Sequence, residues 1–372
     1  MVAVAGQGSL TISMVKGLRG LQAIKPDWDR IHSRLENSTY HQDWRWMAAL
    51  QERLIEQPIY FVVLKRGSHV VAILPLQLRK MTKAGITIDH LSFPHHSHVV
   101  LSDALVDLKQ VGETDFEAIL DFLEQQSEFR WDEIQLVGIE RRALIREWLM
   151  RCGIELEEVS NSAYFDWPEG SFDTNLSKKF IKNIRRIASK AQEECGPLCT
   201  RWVNDQRSLP AAFEEFLELE ASGWKGEQGT STAIKHSPDL VRFYRQLLDS
   251  FGEDGAFQIN LLEIGGIPAA GQMCVSSQHS LFILKVAYND DLRKYGPGNI
   301  LMLNLLELLS GGSAFRELNL VTAPVWADRW HLNKRSVFAM QHFNRNVAGR
   351  LSKAMMYSRR ILKDVIRAET NG

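Results

Sequence analysis

The stretch from Leu281 to Leu309 constrains this 372-residue chain more than any other. An apolar run, Leu281 to Ala287, passes through Tyr288, Asn289, Asp290 and Asp291 into Arg293, Lys294, Tyr295, Gly296, Pro297 and Gly298, and a leucine-rich helix candidate follows from Asn299 to Leu309. Strand, glycine-bearing turn and helix in that order form an anion cradle. Glycine lets the backbone approach a ligand, and a helix start presents unpaired N–H groups at the positive end of its dipole. The ligand expected there is phosphorylated. A plain turn between strand and helix is the competing reading of these six residues taken alone. The Rossmann fingerprint requires three glycines in Gly-x-Gly-x-x-Gly spacing and the Walker loop a Gly-Lys-Ser/Thr ending, and this segment has neither.

Arg293, Gly296 and Gly298 fit an Arg/Gln-x-x-Gly-x-Gly/Ala pattern. The loop resembles the one with which GNAT-type N-acetyltransferases grip the pyrophosphate of acyl-coenzyme A. Upstream, the run Phe216 to Thr230 contains Leu219, Glu220, Trp224, Lys225, Gly226, Gly229 and Thr230. It resembles the signature of the acetyltransferase family that includes the cellulose-biosynthesis protein CelD. A basic helix at Lys178 to Lys190 and the turn Tyr295 to Gly298 extend that resemblance over residues 175 to 330, about half of the chain. The first half resembles the family only faintly. The resemblance implies acetyl-CoA or another acyl-CoA as co-substrate. The cofactor-binding set is then Lys285, Arg293, Lys294, Tyr295, Gly296, Pro297, Gly298 and Asn299.

A chain this long exceeds the size at which one hydrophobic core usually keeps growing, so two domains are expected. The net charge of −1 gives no support for general nucleic-acid binding, and DNA is not an expected partner. No apolar run approaches membrane-spanning length and no secretory signal is visible, which points to a cytoplasmic protein. The 4 cysteines do not make a disulfide framework, and Cys195 with Cys199 lacks the spacing of a zinc or redox pair.

Helical periodicity fits Leu21 to Leu35, Asp43 to Glu56, Asp115 to Gln126, Arg141 to Cys152, Ser177 to Glu194, Pro210 to Ser222, Pro238 to Phe251, Asn299 to Leu309 and Val347 to Arg367. Strand patterns lie at Ile59 to Leu64, His69 to Leu78, Ile134 to Val137, Phe257 to Ile264, Ile267 to Ser276, Leu281 to Val286, Leu318 to Val321 and Ser336 to Phe343. Two hairpins stand out, one turning at Arg66, Gly67 and Ser68 and the other at Gly265 and Gly266, each preceded by helices. They suggest an internal duplication. The FemABX-like proteins, which the CelD-like family resembles, are built from two GNAT-like units. The expected fold is therefore α/β with mixed sheets, two GNAT-like acyltransferase units in tandem. The first unit, residues 1–168, is degenerate, and residues 169–372 bind the cofactor, with a turn-prone link near Asp166 to Asp173. After His69 to Leu78 comes only Arg79 to Gly85, with no phosphate turn.

Acyl transfer from a thioester to an amine needs an oriented thioester, donors for the developing oxyanion and a route for a proton. No covalent intermediate is required, so direct attack is the expected mechanism. Glu220 is the candidate base, because a carboxylate buried at a helix end beside Trp224 has its pKa raised. A solvated helix-face carboxylate is the alternative. Lys225 would bind an anionic substrate group, and Asp328 and His331 are reserve bases. Trp224, Trp326 and His331 are the candidate acceptor-binding residues, with aromatic packing as the rival reading of both tryptophans.

Three features carry less. His95, His96 and His98 lack a second ligand cluster with zinc spacing, and no metal is expected. The helix Ser177 to Glu194 presents Lys178, Lys179, Lys182, Arg185, Arg186 and Lys190 opposite an apolar side, suited to phosphates of coenzyme A, an acyl-carrier protein or, as in FemABX relatives, aminoacyl-tRNA, or simply to solvent. The apolar side of the C-terminal helix, with Val347, Leu351 and Met355, is expected to pack on the second unit. The leading expectation is an acyl-CoA dependent N-acyltransferase acting on a small amine, such as an amino sugar or cell-envelope precursor. A FemABX-like aminoacyl or peptidyl transferase using tRNA, and a non-catalytic binding protein of polysaccharide synthesis, are the alternatives.

Overall fold

The computed structural model describes residues 8–35, 38–83, 85–126, 129–167, 176–223, 225–226, 229–312 and 314–356. In chain order the elements are β1 (Leu10–Lys16), α1 (Gly17–Ala23), α2 (Lys25–His32), α3 (Trp44–Arg53), β2 (Tyr60–Arg66), β3 (His69–Lys83), β4 (Ile86–Ser92), β5 (Leu105–Val106), α4 (Asp115–Glu124), β6 (Glu133–Glu140), α5 (Leu144–Arg151) and β7 (Glu157–Asp166). Then follow α6 (Lys178–Cys195), β8 (Leu198–Val203), α7 (Leu209–Ser222), α8 (Pro238–Gly252), β9 (Phe257–Ile264), β10 (Ile267–Ser277), β11 (Ser280–Tyr288), α9 (Pro297–Ser310), β12 (Glu317–Asn319) and β13 (Asn333–Phe343). Residues 347–356 are helical, and the remainder of the expected helix to Arg367 lies outside the described residues.

The periodic helices form close to their expected bounds, because each has an apolar face to bury. The one expected at Leu21 to Leu35 is divided, with Pro26 in the first turn of α2; proline tolerates only that position. Strands β1, β4, β5, β7 and β8 were not expected. β7, Glu157–Asp166, is mostly polar and exposed over its first half. It is a strand because Tyr164 to Asp166 pair with β12. The charged segment after Leu78 is likewise the end of β3, paired with β4 through Lys83.

Contacts divide the chain into two compact units, Met1–Leu35 with Ile55–Ser160 and Ser336–Gly372, and Glu36–Leu54 with Asn161–Arg335. This differs from a single cut between residues 168 and 169; residues 168–175 of the expected link lie outside the described residues. α3 joins the second unit because Arg45 donates to the Ser250 carbonyl at 3.0 Å and pairs with Asp254 at 2.8 Å, while Trp46 meets Phe243 edge to face at 5.4 Å. The C-terminal segment goes with the first unit, where Asn346 donates to Asp132 at 2.9 Å and Ser352 to Glu133 at 2.5 Å. Val347 and Leu351 are exposed there, contrary to the packing on the second unit expected of them.

Both units repeat one order of elements. In the first, β1, two helices, and β2, β3 and β4 as antiparallel neighbours lead through α4 to β6, which pairs parallel with β4. In the second, β8, two helices, and β9, β10 and β11 lead through α9 to β12, which pairs parallel with β11. The duplication suggested by the two hairpins is thus present in the topology. Each unit has its own core: Phe116, Trp131 and Trp148 lie in the first, and Leu301, Leu305 and Trp330 in the second.

Candidate functional site

The second unit opens where β11 and β12 part. Their parallel pairing covers only Ser280 to Phe282 against Glu317 to Asn319, whereas β11 continues to Tyr288. Past Phe282, β11 is bonded to β10 alone, with a bulge: Met273 faces Lys285 and Cys274 faces Ile283, leaving Leu284 as the extra residue. A bulge bends its strand and re-aims the side chains beyond it. β12 ends in a tight turn that holds Val321 at φ 63, its N–H bonded to Asn319 Oδ1 at 2.7 Å.

A cleft of about 360 Å³ lies at the end of β11, lined also by β10, the start of α9 and the 3-10 turn that carries Trp326 and Arg329. The loop joining β11 to α9 is fixed residue by residue. Asn289 Oδ1 accepts the Asp291 N–H at 3.0 Å and starts the turn. Gly296 closes it in the left-handed conformation, φ 56 and ψ 52, and Pro297 opens the helix. The Gly296 carbonyl accepts from the Asn299 and Ile300 amides at 2.9 and 3.2 Å, leaving the Gly298 amide without an intrahelical acceptor. A Cβ on Gly298 would meet nothing within 4 Å, so the protein's own packing makes no demand for glycine there. No acidic residue stands in the first turn of α9. With Arg293 at the rim, the positive helix end is left for an external anion.

The first unit shows the contrast. Its topological counterpart of α9 is α4, not the segment 79–85. There Asp115 fills the helix start, accepting the Gly112 N–H at 2.7 Å and both bonds of Arg66 at 2.8 and 2.7 Å. The anion place of that unit is taken by the chain's own carboxylate.

Of the residues expected from sequence, the cleft gathers Arg293, Gly296, Pro297, Gly298, Asn299 and Trp326. It adds Gly271, Gln272, Val286, Ala287, Tyr288 and Arg329. Arg329 carries no motif; only its place beside Trp326 could have suggested it. Lys294 and Tyr295 do not line the cleft. The Tyr295 hydroxyl donates to Glu194 at 2.6 Å and accepts from the Cys195 thiol at 3.3 Å, and Lys294 lies 3.5 Å from Glu194, so both tie the loop to α6.

Glu220 and Lys225 do not line the cleft but form an anchor beside it. Glu220 is buried at the end of α7; its Oε1 accepts from Lys225 Nζ at 2.7 Å and its Oε2 from the Ile234 N–H at 2.8 Å. An ammonium on one oxygen and a backbone amide on the other hold the carboxylate in place at the end of α7. Gly226 belongs to the same device, since a Cβ there would lie 1.9 Å from the Ala221 carbonyl oxygen. Trp224 lies outside the described residues. Lys285 stands beside this pair rather than in the cleft. Burial, helped by the neighbouring Lys225 charge and opposed by Glu220, brings its ammonium down to about 8. Asp328 is exposed and paired with Lys334 at 2.8 Å, and His331 is exposed in the left-handed conformation at φ 50. Among the described residues no group of His, Cys, Asp and Glu is arranged to hold a metal ion. No helix among them is long and apolar enough to cross a membrane.

A meander of antiparallel strands with a bulge in β11, a glycine-turned start of α9 and a return to a parallel strand at β12 define the class: a mixed α/β GNAT-like fold. The comparisons agree with it. Residues 178–330 match the family described as the Acetyltransferase (GNAT) domain. Among solved structures, FemX is similar at 12% identity and TM-score 0.55, over 84% of this chain and 95% of that one. L-PGS from Bacillus licheniformis is similar at 14% and 0.53, over 87% and 93%. The C-terminal domain of a protein assigned as lysylphosphatidylglycerol synthetase from Agrobacterium fabrum gives 11% and 0.52, over 89% and 96%. At such identities the likeness is one of fold. A search of the curated proteins finds no match.

Proposed function

We propose that the chain is an acyl-CoA dependent N-acyltransferase of the CelD-like kind, most plainly an N-acetyltransferase, acting on a small amine such as an amino sugar or a cell-envelope precursor. The observation that carries this reading is the open start of α9: a left-handed Gly296, a Gly298 with empty space at its Cβ position and no acid in the first turn, beside Arg293 in the cleft. The pyrophosphate of coenzyme A would rest on that helix end, and Arg293 and Arg329 would hold its charge. The pantetheine arm would run along the apolar wall of Val286, Ala287 and Met302. A backbone N–H on the unpaired edge of β11 would take the oxyanion. The amine attacks the thioester carbonyl, the C–N bond forms, the C–S bond breaks, and the thiolate leaves with the proton the amine gives up. Bound orientation, rather than a covalent intermediate, supplies the acceleration.

Aminoacyl transfer from tRNA is the second reading. It is favoured by the exposed Lys178, Lys179 and Lys182 on α6 and by the fold likeness to FemX. Calorimetry with acetyl-CoA on the wild type and a Gly298→Val variant separates the two. The expected result is micromolar binding, about −8 kcal/mol, in the wild type and none in the variant. No binding at millimolar ligand would sink the coenzyme A reading and turn the search to aminoacyl-tRNA.

A further inference from the structure

The first unit holds a cation that the fold leaves unmatched. In the register of β3 and β4, Gln77 faces Ser92 and Arg79 faces His90. With the strand period of two, these four side chains share one face of the pair. Three of them are buried and partnered. Gln77 Oε1 accepts the His95 N–H at 2.9 Å, Ser92 Oγ donates to the Phe93 carbonyl at 2.8 Å, and His90 Nδ1 lies 3.1 Å from Glu133. Arg79 differs. Its Nε is shielded from solvent with no hydrogen-bond partner, and its one recorded contact is Nη2 to Ser92 Oγ at 3.5 Å, the outer limit of a hydrogen bond.

The neighbouring basic side chains have carboxylates: Lys80 has Asp89 at 3.5 Å, and Lys83 and His90 lie 2.5 and 3.1 Å from Glu133. No carboxylate of the described residues pairs with Arg79. Arg79 is half-buried, with its Nε shielded and the rest of its fork reachable, and a planar guanidinium suits two oxygens of one anion. The Gln77 bond to the His95 amide holds the segment after β4 beside the same patch. Burial, then the charges of Arg79, His96 and His90, lower the His95 pKa.

We propose that Arg79, with Ser92 and His95, forms an oxyanion-binding site in the first unit that takes a phosphate or carboxylate group of a small ligand. The site is separate from the cleft at α9 and does not depend on the acyltransferase reading. Arg79 supplies the bidentate fork, and the His95 ring supplies a flanking polar contact; Ser92, which accepts from Arg79, positions the guanidinium.

The test uses the full chain with Gly298→Val, which blocks the open helix start of the α9 cleft, with and without Arg79→Met. Inorganic phosphate and acetate are titrated separately at constant ionic strength and thermal unfolding is followed. The expected result is a saturable rise of about 2–4 °C in Tm that Arg79→Met abolishes and Arg79→Lys restores only in part. A response to phosphate alone identifies a phosphoryl ligand, and one to acetate as well a carboxylate-tolerant site. Equal responses with and without Arg79 would overturn the proposal. Should Arg79→Met fail to fold, the His95 ring resonances decide: a shift with phosphate supports the site, and no shift up to roughly 10 mM refutes it.

Discussion

Gly296 and Gly298 sit two residues apart and answer to different demands. Gly296 serves the backbone, with φ 56, whereas Gly298 serves only the space around it. Gly296→Ala is expected to cost about 1 kcal/mol of stability. Gly298→Val is expected to lose acetyl-CoA affinity with the Tm nearly unchanged, and calorimetry beside a melt checks both; retained affinity would refute the placing of the cradle. Glu220 is the second residue-scale test. Glu220→Gln removes the charge that holds Lys225 and should destabilise by about 2–3 kcal/mol in urea denaturation while donor binding persists. An unchanged Tm with abolished turnover would return Glu220 to the role of base. Lys285 gives a signed pH effect. Its folded-state pKa, about 8, lies below its ordinary 10.5, so between those values the unfolded chain binds more protons and stability rises with pH. Lys285→Met should flatten that rise and stabilise the protein near pH 7, read from denaturation midpoints.

Among the elements, α9 and α4 hold equivalent places in the repeated order, yet one start is open and the other is filled. Asp115 is buried against Arg66, which is itself only 18% exposed, so the pair cannot be separated cheaply. Asp115→Ala strands that cation and should cost about 3–5 kcal/mol without conferring coenzyme A binding on the first unit. A stable variant that bound acetyl-CoA with the α9 cleft silenced would contradict this account of why only one unit carries the cradle. The residues around Trp224 that looked most like a catalytic signature act at this scale too. Glu220, Lys225 and Gly226 close the turn after α7, and Gly223 lets that turn approach the Tyr288 carbonyl, where a Cβ would come within 3.2 Å. The motif was legible as a motif; its job was not, because spacing along a chain does not say which way a carboxylate points.

For the molecule as a whole, resistance to acid should depend on Glu133, a buried carboxylate of the first unit. Burial alone would push the Glu133 carboxyl up. The bonds from His90, Lys83 and Ser352 outweigh it and bring the group down to about 2. A carboxylate depressed in the folded state contributes its stability above its ordinary range near 4.5 and loses it as pH falls toward 2. Glu133→Gln should therefore lower stability at pH 6 and shrink the difference from wild type as pH drops through that window, measured by denaturant midpoints. A difference that stayed constant with pH would remove Glu133 from the acid response.

The sequence by itself determined the periodic helices, the two hairpins, the duplication they imply and the cradle at Arg293 to Gly298. All of these rest on local rules: side-chain period, turn residues and the chemistry of a helix start. Only the tertiary structure decided the rest. β7 is a strand because it finds a partner in β12, and α3 joins the second unit because Arg45 and Trp46 meet Ser250, Asp254 and Phe243 some 200 residues away. Arg329 lines the cleft, while Tyr295 and Lys294 meet Glu194 and Glu220 meets Lys225. Such assignments depend on the direction of a side chain and on what it meets, and those are set by contacts between segments far apart in the chain.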